Sequence, residues 1–245
     1  MKIGLINIPQ NFIGHIEIIG AGGTGSWLIP WLIKFLKSCP VNIHIMDGDV
    51  VSDKNILRQN FIASDIGKNK AEVLAERYSR AYGVTIIAKP QFLTKETPIK
   101  NDYYDCLPLI ICCCDNDEAR LLCANRYKKA KYFYLDCGND LDTGQVILGG
   151  NLGQMAVTNP INNETYKQKV ILDDVVKLYP EINNAKPHER SCADGPPQNM
   201  LINQMTALHA LAILSEIFIT KMLKTTQITF SLSSNSQFTY FTLDT

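Results

Sequence analysis

Between residues 15 and 70 the chain reads HIEIIGAGGTGSWLIPWLIKFLKS, then VNIHIMDGDVVSDKNILRQNF, and, after five further residues, GKNK. A short apolar run ends in glycines that open an amphipathic segment, and a second apolar run ends in two acids. Glycines between a strand and a helix let an anion approach backbone N–H groups with the helix dipole behind them. A carboxylate at the end of the next strand is placed to accept ribose hydroxyls. This stretch is a nucleotide cradle, and it confines the chain to folds in which strands feed helices.

The rest of the pattern agrees. Residues 16–19 read as a buried strand. Residues 23–37 read as a helix, kinked at Pro30, with Trp27, Leu28, Trp31, Leu32 and Phe35 on one face. Residues 41–46 form a second strand, 68–82 a helix and 84–88 a third strand. Strands at 107–113, 132–136 and 144–148 and a helix at 119–130 follow. Alternating strands and helices of this kind predict an α/β, Rossmann-like, doubly wound, mostly parallel sheet. Residues 1–14 read as an edge strand or a partner contact. From residue 151 to 198 the chain is rich in Asn, Pro and Gly, as in NPINNETYKQK and HERSCADGPPQN, with one short helix near residues 172–178. Such a stretch is a loop-rich insertion or crossover. Residues 199–224 form a long amphipathic helix, and 227–230 with 237–242 a hairpin. The expectation is one domain over residues 1–245: a nucleotide-binding core (15–150), the insertion (151–198) and a C-terminal helix and hairpin (199–245).

Composition removes several classes. Twenty-four basic and twenty-four acidic side chains in 245 residues leave no net charge, so there is no electrostatic case for nucleic acid or an acidic membrane surface. The apolar stretches LIPWLIKFL and MTALHALAILSEIFI are interrupted by Lys34, His209 or Glu216 and fall short of a bilayer span. The N-terminus lacks a basic head before a cleavable apolar run, which points to a cytoplasmic protein. Eight cysteines lack any C-x-x-C pair, and Cys112, Cys113 and Cys114 sit in an apolar run. They read as reduced, buried thiols without a zinc site.

Gly20, Gly22, Gly23 and Gly25 alone fit a dinucleotide dehydrogenase as well as an ATP enzyme, and so does Asp47. Asn55, Arg58, Gln59, Lys68 and Lys70 separate the two. Three cations and two amides can neutralise a triphosphate and stabilise a pyrophosphate leaving group. A dehydrogenase holds its pyrophosphate without cleaving it. Asp115, at the end of the strand at 107–113, could hold the magnesium ion bridging the phosphate oxygens, with Asn116 beside it. Lys68 and Lys70 read alone are also compatible with a solvated basic helix start.

Read together, GAGGTG, DGDVVSDKNILRQ, GKNK, CDNDEAR and GQV resemble the ThiF/MoeB/HesA family of adenylating enzymes, related to the activators of ubiquitin. The resemblance covers residues 15–150, and its most specific part is the D-x-D-x-V-x-x-x-N-x-x-R-Q string. It implies that Asp47 binds ribose, that Asn55, Arg58, Gln59 and Lys70 contact the triphosphate, and that Asp115 is the magnesium-linked catalytic acid. The cofactors implied are ATP and Mg2+. The implied reaction adenylates the C-terminal glycine carboxylate of a small β-grasp, ubiquitin-like or sulfur-carrier protein, with a homodimeric enzyme. The tail, SC followed by Q-N-x-L-I-N-Q, further resembles the variant found in PRTRC gene clusters.

Two departures stand out. MoeB-type members carry paired C-x-x-C zinc ligands that are missing here. They also supply an arginine from the N-terminal region of the dimer partner, yet the first arginine of this chain is Arg58, leaving Lys2 or a loop residue as a substitute. Cys192 is the candidate acyl acceptor, since relatives that pass the activated protein on place a cysteine after the nucleotide domain. A thiol near His188 and Arg190 can be activated; the alternative is an incidental loop cysteine. His209 reads as a packed or partly exposed histidine. Rival functions are adenylation of a peptide or small carboxylate, a nucleotide-binding scaffold that has lost transfer chemistry and, more distantly, a dehydrogenase.

Overall fold

The computed structural model describes residues 4–98, 106–126, 130–184 and 200–233, and the backbone of 239–242. A three-residue strand, β1 (Leu5–Asn7), precedes β2 (Ile13–Ile19), whose seven residues are all buried. The glycine loop leads into α1 (Gly23–Leu36), and β3 (Asn42–Met46) follows. Next come the short α2 (Asp53–Ile56), α3 (Lys70–Tyr82) and β4 (Ile86–Lys89). The chain then crosses to β5 (Leu107–Cys112), α4 (Asp117–Arg126), β6 (Tyr132–Asn139) and the long β7 (Thr143–Thr158). β8 (Thr165–Leu172), α5 (Val175–Leu178), α6 (Met200–Ser215), β9 (Met222–Leu223), β10 (Thr225–Ser231) and β11 (Thr239–Thr242) complete it.

One sheet joins the strands in the order β11-β10-β7-β6-β5-β2-β3-β4, with β8 on β7 and β1 between β7 and β9. The pairs β4-β3, β3-β2, β2-β5 and β5-β6 are parallel, and antiparallel strands extend the sheet beyond β6. The order reverses at β2, which has β3 on one side and β5 on the other. In open α/β sheets a crevice forms outside the carboxyl ends of the strands at such a switch point.

Alternation along each strand sorts the core into two layers. Ile16, Ile18, Ile45, Leu109 and Ile111 pack with α1, α3 and α6 on one face. Ile19, Met46, Ile110 and Cys112 pack with α4 and α5 on the other. α3 is closed by Asn69, whose Oδ1 accepts from the N–H groups of Ala71 and Glu72, and by Gly83 in the left-handed conformation.

Several elements differ from expectation. Trp31 is 53 % exposed, with Lys34 Nζ 4.2 Å over its ring, because the buried stripe of α1 runs through Leu28, Ile29, Leu32, Ile33 and Leu36. β1 is no edge strand, being paired on both sides. The irregularity expected from residue 151 is instead a hairpin of β7 and β8. A register shift between Asn151 and Gly153 breaks the alternation of β7, and most of β8 faces outward, so neither strand shows an apolar run. The final helix stops short of Lys224. α6 ends in a π-helical turn, Glu216–Thr220, followed by Lys221 with φ 57°. The Glu216 carboxylate then accepts from the Lys224 and Thr225 amides and turns the chain into β10. Met200–Thr220 is long and apolar enough to cross a membrane by length and composition, where the shorter stretch MTALHALAILSEIFI falls short of a span, but more than half of its most apolar window is buried inside the protein. Lys2, His188, Arg190 and Cys192 lie outside the described residues.

Candidate active site

A cleft of about 660 Å3 opens at the carboxyl edge of the parallel strands. Gly20, Gly22 and Gly23 line it, with Asp47, Arg58, Gln59, Lys70, Asp115 and Asn116 around them. Nine of the residues singled out from the sequence are therefore brought to one place. Asn55, Gly25 and Lys68 are not on its wall.

The loop has its shape for steric reasons. Gly20 sits at φ +92°, and a Cβ there would lie 2.9 Å from the carbonyl oxygen of Cys113. A Cβ on Gly25 would lie 2.1 Å from the Gly20 carbonyl oxygen, so that glycine serves the packing of α1 on its own loop. With no side chain in the way, the first turn of α1 presents its backbone donors to the cleft.

Asp47 is held from behind. Its Oδ2 accepts from the Ala21 amide at 2.6 Å and its Oδ1 from the Asp49 amide at 2.8 Å. Burial pushes the carboxyl above its ordinary value, against the pull of Lys70 and the two N–H bonds. Two lone-pair directions of the carboxylate stay available, which suits ribose hydroxyls. Lys70, 5 % exposed, pairs through Nζ with Asp49 Oδ2 at 3.0 Å. Asn69, which the motif reading passed over, fixes both ends of this pair: its Nδ2 donates to the carbonyls of Asp47 (2.9 Å) and Asp49 (3.0 Å) while its Oδ1 caps α3. The predicted helix began at residue 68, too early to leave Asn69 outside it; an Asn at its start, where a cap belongs, was the available signal.

Arg58 and Gln59 are positioned by contacts that their own side chains do not make. Asn55 lies behind the cleft, its Oδ1 accepting from the Ser52 amide and hydroxyl and its carbonyl from the amides of Arg58 (3.1 Å) and Gln59 (2.8 Å). Trp27 Nε1 donates to the Arg58 carbonyl at 3.1 Å. Pro30 has no N–H to give to the Ser26 carbonyl four residues earlier. Asn60 Nδ2 takes that carbonyl at 3.2 Å, and the Asn60 amide bonds Ser26 Oγ at 3.0 Å. The proline thus leaves α1 an acceptor into which the Arg58-bearing segment docks.

On the far side of the switch point, Asp115 and Asn116 follow β5. Asn116 Oδ1 accepts from the Ala119 amide at 2.8 Å and caps α4. The three consecutive cysteines separate: Cys112 is buried, as expected, but Cys113 and Cys114 line the cleft, because the strand ends at Cys112 and the chain turns outward. A hydrogen bond with Cys137 and burial push the Cys113 thiol up. Beyond them stand Cys137, Asn139 and Asn203, none of which the sequence motifs assigned to a nucleotide.

The floor beneath the cleft holds a buried charge network. Arg126 Nε and Nη2 donate to Glu17 Oε2 (2.5 Å) and Oε1 (3.1 Å), and Lys89 Nζ lies 3.0 Å from Oε1. Burial would raise the Glu17 carboxyl, but the His15 imidazole beside it, Arg126 and Lys89 hold it well below the usual range. His15, Glu17 and His44 place ligand atoms within 4.8 Å of one another; with two cations already on the carboxylate, this group is built as an ion pair. Arg126 also donates to the carbonyls of Thr97 and Pro98, tying down the segment after β4, whose residues Gln91 to Glu96 wall the cleft near Asp47.

A magnesium ion accompanying a nucleotide needs few protein ligands, one or two carboxylates completed by phosphate oxygens and water. Asp115, exposed at the cleft wall, fits that requirement, whereas the Asp47 and Asp49 carboxylates already hold amides and Lys70.

The fold is shared with solved structures. MccB of E. coli superposes with a TM-score of 0.62 at 15 % identity, over 94 % of this chain and 62 % of MccB. The chain therefore spans less than two thirds of that protein's length. PaaA gives a TM-score of 0.62 at 16 % identity, over 94 % of this chain and 73 % of PaaA. A structure of MccB with ATP gives 0.56 at 19 % identity, over 94 % and 63 %. No curated protein matches the sequence. The model of the ThiF family matches residues 12–244, and with that match over nearly the whole chain the protein belongs to the ThiF family.

Proposed function

We propose that the protein uses ATP to adenylate the carboxylate at the C-terminus of a polypeptide. The observation that carries this reading is the convergence of Asp47, Arg58, Gln59, Lys70 and Asp115 around the N-terminus of α1. A ribose on Asp47 sets the triphosphate against the α1 amides, within reach of Arg58 and Lys70. A carboxylate oxygen of the substrate attacks the α-phosphorus, the bond from that phosphorus to the bridging oxygen of the β-phosphate breaks, and pyrophosphate leaves with the electron pair. Arg58, Gln59 and Lys70 are the groups that meet the charge growing on the leaving group. Mg2+ held by Asp115 would add neutralisation of the phosphate charge.

The preferred substrate is a small ubiquitin-like or sulfur-carrier protein ending in glycine, handled by a homodimer, with Cys192 as the acceptor for an ensuing thioester. A short peptide is the second reading, favoured by the structures of MccB with MccA, whose fold this chain shares. Exchange of labelled pyrophosphate into ATP tests the reaction. Exchange that depends on a glycine-terminated protein or peptide is expected, and normal ATP binding without exchange for any such carboxylate would remove the reading. Tighter binding of NAD than of ATP would return the dehydrogenase. A Cys192→Ser protein that still forms a thiol-sensitive conjugate would remove Cys192 as the acceptor.

A further inference from the structure

The cleft has a second end. Across its mouth the strands follow the order β4-β3-β2-β5-β6, so Asp47 after β3 and Asn139 at the end of β6 lie on opposite sides of the glycine loop after β2. Neighbouring strands are roughly 4.8 Å apart. A nucleotide with its ribose at Asp47 and its phosphates at the α1 N-terminus leaves the β5–β6 end open.

Three elements bring polar side chains there. Asn139 Nδ2 donates to Thr24 Oγ1 at 3.0 Å and to Asn203 Oδ1 at 2.8 Å. This fixes the Asn203 amide by its oxygen. Its Nδ2 is then left without a hydrogen-bond partner among the described residues, although Asn203 is only 1 % exposed and lines the cleft. A buried donor without a partner is rare unless something absent from the structure accepts from it. The group also touches the cradle itself: a Cβ on Gly23 would lie 2.6 Å from Asn203 Oδ1. Asn203 belongs to the Q-N-x-L-I-N-Q string, which the phosphate chemistry leaves unexplained. Cys113, Cys137, Asn139 and Asn203 bring no cation to this part of the wall, and Asp115 and Glu118, which follow β5, are acids.

We infer that Asn203, oriented by Asn139 and Thr24, is the binding residue for the substrate carboxylate that attacks the nucleotide. The inference rests on the adenylation reading and identifies where that site takes its acyl substrate. Neutral donors suit the task. One carboxylate oxygen accepts from Asn203 Nδ2 while the other faces the α-phosphorus, and without a cation paired to it the carboxylate keeps its nucleophilicity. The ligand selected is a terminal carboxylate next to phosphate. An oxygen of the α-phosphate itself is the other acceptor within the same chemistry, and the experiment separates the two.

Binding of ATP to the native chain is measured first by calorimetry; a failure there counts against adenylation as a whole, independently of Asn203. The side-chain amide of Asn203 is then followed by NMR in 15N-asparagine-labelled protein, with AMP alone and with AMP plus glycylglycine. The expected result is a shift of the Asn203 signal that requires glycylglycine. A signal that responds fully to AMP, or one that glycylglycine leaves unmoved, overturns the assignment. Asn203→Leu removes the unpartnered donor with a side chain of similar size and no added charge, and Asn139 keeps its bond to Thr24. It is expected to weaken glycylglycine binding by about tenfold or more while ATP affinity stays within about twofold. A tenfold loss of ATP affinity would instead place the donor on the nucleotide. The titration of the native protein stands whether or not this variant folds.

Discussion

The two ends of the cleft are built on opposite principles. At the end near β3 and β4, charge is paired with charge: Lys70 with Asp49, Asp47 with two amides, and Glu17 beneath them with Arg126 and Lys89. At the end near β5 and β6 the wall is made of thiols and amides, with Arg120 paired to Asp136 off the wall, and a donor is left over. A site that must bind a polyanion and also bring a second anion up to it cannot be uniformly cationic. On the adenylation reading, keeping the lining cations Arg58, Lys70 and Lys95 away from Asn203 lets the phosphates be held tightly while the attacking carboxylate is held without being neutralised.

If the charged end depends on the network below it, Glu17→Gln should give the largest effect. It leaves Arg126 buried with a neutral partner, a change that costs about 3–5 kcal/mol, read as a lower denaturant midpoint. The same network sets a pH response. The Glu17 carboxyl is held below its ordinary value of 4.5, so its stabilisation is complete above that value and fades as the pH falls below it. The native protein should lose stability on acidification below about pH 4.5, and the variant should lose less; equal slopes would break the link. Lys70→Ala should come next, weakening ATP by about 2 kcal/mol, roughly thirtyfold, because one charge-assisted contact to phosphate disappears. Titration of the variant with ATP and with glycylglycine plus AMP would show whether the two ends are separable, as expected, or fall together. Asn60→Ala should have the smallest effect, about 1 kcal/mol of stability from losing its bond to the Ser26 carbonyl, together with weaker ATP binding through the displaced Arg58 segment. Unchanged thermal melting would show that water replaces Asn60 fully.

Much of the charged end was legible because its parts have few alternative uses. Glycines at a strand-to-helix junction, and Arg58, Gln59 and Lys70 spaced after Asp47, are costly unless an anion is present. The parallel half of the sheet was legible for a similar reason, since strands buried on both faces read as continuous apolar runs. The neutral end was not. Asn139 and Asn203 lie 64 residues apart in mostly apolar elements, and only the tertiary fold puts them together. Asn60 was hidden likewise, because its purpose appears only once Pro30 has left a carbonyl open. Trp31 misled because a large aromatic at helical spacing implies burial, whereas here Lys34 covers it. Glycines and outward-facing polar residues masked the hairpin of β7 and β8, and Glu216 ends α6 through contacts with residues that follow it.

The meeting of Asn203 with Gly23 also bears on the order in which the cleft can be assembled. Everything that the triphosphate needs, from Gly20 to Asp115, emerges early during synthesis, whereas the donor from α6 emerges later, after on the order of ten seconds of further translation. Until then α1 lacks the helix that packs beside it. A growing chain could hold nucleotide before it can present a carboxylate to it, so the phosphate-binding half is free to be stabilised by its ligand while the other half is still being made.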